Sequence, residues 1–179
     1  MKALAATNRD KLIDLLNERL VFERSGVKLY DTIVENMERS ENPEVAGMLR
    51  TMREHRDEEK EHEEWLGAQI RALGGDVDGK TEMGELVRAE SVGVQSVVAT
   101  DRDIMHQLHA LLTAELVDNA GWELLLQLAD EADDDDARRE MRRRAHHEAA
   151  HLIFVRRAIV AFARRRVLGR AAELPTSAP

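Results

Sequence analysis

The chain has 179 residues, 43% of them hydrophobic, with three prolines, ten glycines, 3% aromatic residues and no cysteine. That is one ordinary domain with enough apolar material for a core and a composition rich in helix formers; disulfides, thiolate metal ligands and a cysteine nucleophile are excluded. The net charge of −9 is uneven, because residues 137–179 alone carry 11 Arg against 3 Glu.

The first helix is expected to begin at Thr7 or Asn8, with Thr7 as a cap and Asp10 three residues on, and to end near Glu38. Ser40-Glu41-Asn42-Pro43 ends it and starts the second, with Asn42 as cap and Pro43 in the first turn, where a missing N–H costs nothing. The second helix runs to Leu73 and stops at Gly74-Gly75. Residues 74–99 are far more than a hairpin needs, and a connection of that length can cross a whole bundle. Within it, Glu82 to Ala99 reads as a short packed helix with Met83, Leu86, Val87, Val94, Val97 and Val98 on its apolar face; a lid or partner surface is the functional alternative. Thr100 and Asp103 mark the start of a third long helix, about 101–131, and Asp133 to Asp136 the start of a fourth, reaching about Leu168. Arg138, Arg139, Arg142 and Arg143 read as a solvated face paired with acidic neighbours, and without aromatic interleaving nucleic acid is not an expected partner. Residues 1–169 are thus expected to form an all-α bundle and 170–179 a disordered tail. No apolar run approaches the roughly 18 residues of a membrane span. The start M-K-A-L-A-A-T-N-R-D lacks a signal-peptide stretch, so the expected location is cytoplasmic.

Each long helix carries an apolar seam at spacings of three and four, and each seam holds a glutamate near its middle: Glu23, Glu59, Glu115 and Glu148. The seam of the third helix is read as Leu111, Glu115, Asn119, Trp122, Leu126 and Ala129. Glu59 and Glu148 each have a histidine three residues on, His62 and His151, on the same helix face. Two Glu-x-x-His pairs are close to what chance gives in a chain so rich in glutamate; their placement is the stronger signal. Glu23 lies 17 residues before Ser40 and Glu59 lies 16 after Pro43, so the two stand at nearly one height. Four ionised glutamates in an apolar core would repel one another and be poorly solvated, and two divalent cations would cancel their charge. A buried network pairing the glutamates with His or Arg is the alternative.

One Glu, then Glu-x-x-His, then one Glu, then Glu-x-x-His, on four successive helices with a long middle connection, resembles the ferritin-like di-iron carboxylate proteins, the bacterioferritin and rubrerythrin branch in particular. The resemblance covers about residues 8–165 and implies a ferritin-like four-helix bundle with a crossover between its second and third helices. It implies two iron ions, with manganese as the alternative metal, bridged by Glu59 and Glu148; Glu23 with His62 would complete one ion and Glu115 with His151 the other. Tyr30, one heptad after Glu23, matches a tyrosine beside bacterioferritin-like centres, and could donate to bound oxygen or pair with a carboxylate. The implied activity is ferroxidase or rubrerythrin-like peroxidase chemistry, with Fe(II) and dioxygen or peroxide as partners. Metal storage or binding without turnover, and a di-manganese centre degrading peroxide, are the alternatives. The absence of cysteine excludes a built-in rubredoxin-type donor, and Arg170 to Pro179 is too short for the fifth helix of a cage, so a homodimer is expected. Of the remaining groups, His55 and Asp118 are candidates to orient the ligands or simply to pack or face solvent. His106, His109, His146 and His147 read as surface residues, and Trp65 and Trp122 as packing residues.

Overall fold

The computed structural model describes residues 1–170 and 175 and is all-helical there: α1 Arg9–Glu38, α2 Pro43–Ala72, α3 Glu82–Thr100, α4 Ile104–Glu131 and α5 Asp135–Leu168. The expected disordered tail falls, apart from Arg170 and Pro175, outside the described residues. None of the described helices is long and apolar enough to cross a membrane.

Capping explains where the helices begin. Asn8, not Thr7, caps α1, its Oδ1 accepting from the Lys11 N–H at 3.2 Å, because a cap must reach the third N–H of the turn it closes. Asn42 accepts from Glu44 N–H and Pro43 opens α2. Thr100 does not start α4, as the sequence suggests; it ends α3, its hydroxyl donating to Ser96 O, and Asp103 caps α4 through the Met105 N–H. Asp134 does the most: its carboxylate caps α5 at the Ala137 N–H and also accepts from the N–H groups of Ala3 and Leu4 and the terminal ammonium. Asp134→Ala is therefore expected to cost about 2 kcal/mol, the upper end of a lost cap, measurable as a shifted urea midpoint with unchanged slope.

The bundle closes as a ring in which α1 packs on α2, α2 on α5, α5 on α4 and α4 on α1. The connecting helix α3, at 19 residues longer than a short insert, lies outside the ring on α1 and touches α4. Its contacts advance with those of α1, from Met83 beside Asp14, through Gln95 beside Ser25, to Val98 beside Asn36, so the two run parallel. The face it buries is Gly84, Val87 and Val98, with Val94 half-buried, whereas Leu86 and Val97 are exposed, contrary to the sequence reading.

The interior is divided. One apolar cluster joins Leu29 to Met37 of α1 with Met48 and Met52 of α2, Leu108 and Leu111 of α4 and Val155 to Phe162 of α5. A second joins Leu12 to Leu20 with Leu66, Ile70, Trp122, Leu125 and Met141. Between the two lies a polar layer that crosses all four ring helices.

Candidate metal centre

The layer contains all six residues singled out by helical spacing. Glu23, Glu59, His62, Glu115, Glu148 and His151 are each at most 2% exposed. Ligand-capable atoms of Glu23, His62 and Glu148 lie within 4.8 Å of one another, as do those of Glu59, Glu115, Glu148 and His151. Glu148 belongs to both groups. Its Oε1 is 2.8 Å from His62 Nδ1 and its Oε2 is 3.4 Å from His151 Nδ1, while Glu59 Oε1 is 3.3 Å from the same nitrogen.

These close approaches pair carboxylate with imidazole at ion-pair distance but lack the full geometry of a hydrogen bond. Glu23 Oε2, Glu59 Oε2, His62 Nδ1, Glu115 Oε2, both Glu148 oxygens and His151 Nδ1 are buried without a hydrogen-bond partner. A single orphaned buried polar atom costs about 1–3 kcal/mol, so seven in one layer are unusual unless something else satisfies them. All are oxygen or imidazole nitrogen donors, the set that hard and borderline divalent cations accept. The residues present therefore fit a metal centre.

The opposite edges of four of these side chains, Glu23, Glu115, His62 and His151, are tied outward. Trp122 donates its indole N–H to Glu23 Oε1 at 2.7 Å, and the Tyr30 hydroxyl donates to Glu115 Oε1. Each outer glutamate thus keeps one oxygen bonded to an aromatic donor and turns the other inward. The histidines follow the same plan. His151 Nε2 lies 2.6 Å from Glu58 Oε2, and His62 Nε2 lies 3.2 Å from His147 Nδ1, so in each ring Nδ1 faces the layer. Outer partners of this kind fix the tautomer and the ring orientation of a metal-binding histidine. Neither Glu58 nor His147 is evident from the seams; His147 is half-buried rather than a surface residue. Among the others read as surface residues, His106 pairs with Asp101 at 2.6 Å, and His109 and His146 are exposed.

Asp118 takes neither role expected of it. It is buried, and its Oδ1 accepts from Arg19 NH1 at 2.7 Å, so no histidine is its partner. Arg19 is itself buried, its guanidinium over the Phe22 ring and against α4 where Gly121 makes room: a Cβ there would clash with the Arg19 guanidinium. The buried side of α4 runs through Glu115, Asp118, Trp122 and Leu125; the seam expected from the sequence, through Asn119 and Leu126, is displaced by one residue at those two steps. His55 stacks on His151 with centroids 4.1 Å apart. Trp65 and Trp122 do pack, with the Arg144 guanidinium over both rings. The four surface arginines pair as expected, for example Arg139 with Asp136 and Arg143 with Glu61.

Electrostatics show which groups of the layer hold protons when no cation is bound. Burial, with the charges of Glu148 and Glu23, pushes Glu59 well above the usual carboxylate range. Burial likewise pushes Glu115 up to about 8, against the opposing pull of His151. For His62 burial works against the charged form, but the carboxylates of Glu148 and Glu23 prevail and raise it to about 9; His151 is raised for the same reason. Glu148, despite burial, is held low by His151 and His62. The layer therefore carries protons at neutral pH that a bound cation would displace.

A family model described as Rubrerythrin matches residues 14–159, a span that includes all six of these residues. No curated protein matches the chain, and neither does any solved structure.

Proposed function

The chain belongs to the rubrerythrin family, a ferritin-like di-iron carboxylate family, and from that premise we propose that it is an oxidoreductase that takes two Fe(II) ions and oxidises them with dioxygen or peroxide. The observation that carries this reading is the set of seven buried donor atoms without partners, contributed by all four ring helices. Under it, Glu23, His62 and Glu148 would hold one ion and Glu59, Glu115, Glu148 and His151 the other, with Glu148 common to both groups. When bound, the iron pair supplies one electron from each ion to the oxidant.

The protein's own residues do the rest. Trp122 and Tyr30 hold the outer glutamates in a single orientation, and Glu58 and His147 do the same for the histidine rings. The apolar clusters above and below keep the layer dry, which strengthens every electrostatic contact within it. The Tyr30 hydroxyl, whose pKa burial and the neighbouring Glu115 raise well above its ordinary value, stays protonated and so remains a donor at the edge of the centre.

Anaerobic titration of the metal-free protein with Fe(II) should reach an end point at about two ions per chain, as a ligand set of this type requires. Admitting dioxygen or peroxide should then produce ferric absorbance. Tyr30→Phe should keep the stoichiometry and slow that absorbance change by about tenfold, the loss of one well-placed hydrogen bond. An end point at zero or one ion would refute the reading.

A further inference from the structure

We infer that the cavity between α1, α3 and α4 is a binding and entry site for dioxygen, and that dioxygen rather than peroxide is the oxidant that reaches the centre by this route. The inference rests on the di-iron reading for what the oxidant meets, but the cavity itself stands apart from the metal ligands. It has a volume of about 200 Å³, and its wall includes Phe22, Gly26 and Leu29 of α1, Val94 of α3 and Ala114 of α4. Exposed Glu90 and Val117 also line it, which places its mouth at the surface between α3 and α4.

Two features give the cavity its direction and its chemistry. Gly26 belongs both to its wall and to the packing of the centre, because a Cβ built at Gly26 would lie 2.7 Å from Glu59 Oε2. That oxygen is buried without a partner. Gly26 is thus where the cavity wall and the packing around a carboxylate of the centre meet, and any side chain there would crowd that carboxylate. The second feature is that the polar groups in the wall are already bonded. Ser25 donates to Val21 O, Ser91 to Val87 O, Thr113 to His109 O, and Gln95 to Ser25 O.

With these donors committed to the backbone, the wall is mostly apolar, and the polarity it keeps is confined to acceptors: the hydroxyl oxygens, Gln95 Oε1 and the carboxylate of Glu90 at the mouth. An apolar cavity of this kind admits small neutral gases and apolar molecules and does not compensate the lost hydration of a hydrogen-bonding solute. Hydrogen peroxide gives up several hydrogen bonds to enter such a space, and dioxygen gives up none. The connecting helix α3 supplies one whole wall, so it does more than join α2 to α4.

Val94→Phe tests this, since Val94 lies on α3, which supplies none of the six ligand residues, and a phenyl ring there fills the cavity. Ser91→Phe is the second variant, should the first disturb folding as judged by circular dichroism. Xenon-129 NMR on the metal-free proteins reads the cavity without any metal: the wild type should give a saturable xenon shift and the variant none. Anaerobic Fe(II) titration should give the same end point for both. Stopped-flow oxidation of the Fe(II)-loaded variant should then show a dioxygen-dependent rate lowered about tenfold or more, with a much smaller change when peroxide is the oxidant. Three results would overturn the inference: no xenon uptake by the wild type, wild-type dioxygen kinetics in a variant that excludes xenon, or equal slowing with both oxidants. A wild-type chain that binds no Fe(II) would instead overturn the di-iron reading, while xenon uptake would still report the cavity.

Discussion

Glu148→Ala is expected to abolish binding of both metal ions, not one. Its carboxylate is shared by the group with Glu23 and His62, by the group with Glu59, Glu115 and His151, and by a third with Glu23, Glu59 and Asp118. Both of its oxygens lack hydrogen-bond partners, and the flanking histidines keep it ionised, so it is ready to receive a cation without first losing a proton. Removing it leaves each half of the layer with fewer anionic donors and leaves the two histidines without the negative charge between them. Glu58→Gln is the instructive contrast. Glu58 bonds the outer nitrogen of His151, not the one that faces the layer, and its loss should weaken affinity about 10–100-fold while preserving the end point. Cobalt(II) titration followed by visible absorbance distinguishes the two, and an E148A chain that still takes up two ions at wild-type affinity would exclude the bridging role.

The metal-free protein is expected to lose stability as pH rises from about 5 towards 9, and the metal-loaded protein to escape that loss. Burial raises Glu115 from an ordinary 4.5 to about 8, so between those values the folded chain holds a proton the unfolded chain has released. Its contribution to stability is complete below 4.5 and is lost as pH passes 8. Glu59 acts in the same direction. His62, raised from 6.5 to about 9, adds stability below 6.5 that is lost as pH passes 9. Two groups have the opposite sign: Glu148, whose contribution is present above 4.5 and is lost only in acid, and His55, which burial lowers to about 3 and whose cost fades as pH rises to 6.5, so the net fall is clearest from about 6.5 to 9. Cations replace the displaced protons and remove the penalty of bringing several carboxylates together. At a metal concentration a thousandfold above Kd the gain is about 4 kcal/mol. For a chain of this size that corresponds to roughly 10 °C in Tm. Melting curves at pH 5, 7 and 9 with and without metal measure both effects, and metal addition in weak buffer should release protons. A metal-free Tm that climbs from pH 5 to 9 would contradict the account.

Much of this is legible in the sequence, for a physical reason. Glu23, Glu59, Glu115 and Glu148 are charged residues where the helical period demands apolar ones, and such a conflict marks a site. Their partners are harder to see. Glu58 and His147 sit one residue to the side of their seams, where polar residues are ordinary, and only the packing of α2 against α5 turns them inward. The choice between Asp118 and Asn119, and between Leu125 and Leu126, is a matter of helical phase. Both paths alternate steps of three and four, and what selects the first is Arg19, a buried cation on another helix. On α3, Leu86 and Val97 fit an apolar face as well as Val87 and Val98 do; the α1 surface the helix lies on decides between them.

The polar layer also has a topological consequence for a chain with no cysteine. Its first and last candidate ligands, Glu23 and His151, enclose most of the sequence, and the others are spread between them on separate helices. Metal ions held there join distant points of the chain in several closed loops, and closing long loops removes freedom chiefly from the unfolded ensemble. The centre is thus placed to act as a reversible multi-way cross-link, made and broken by cation supply instead of by thiol oxidation. A protein built this way would carry its metal status into its resistance to unfolding and proteolysis.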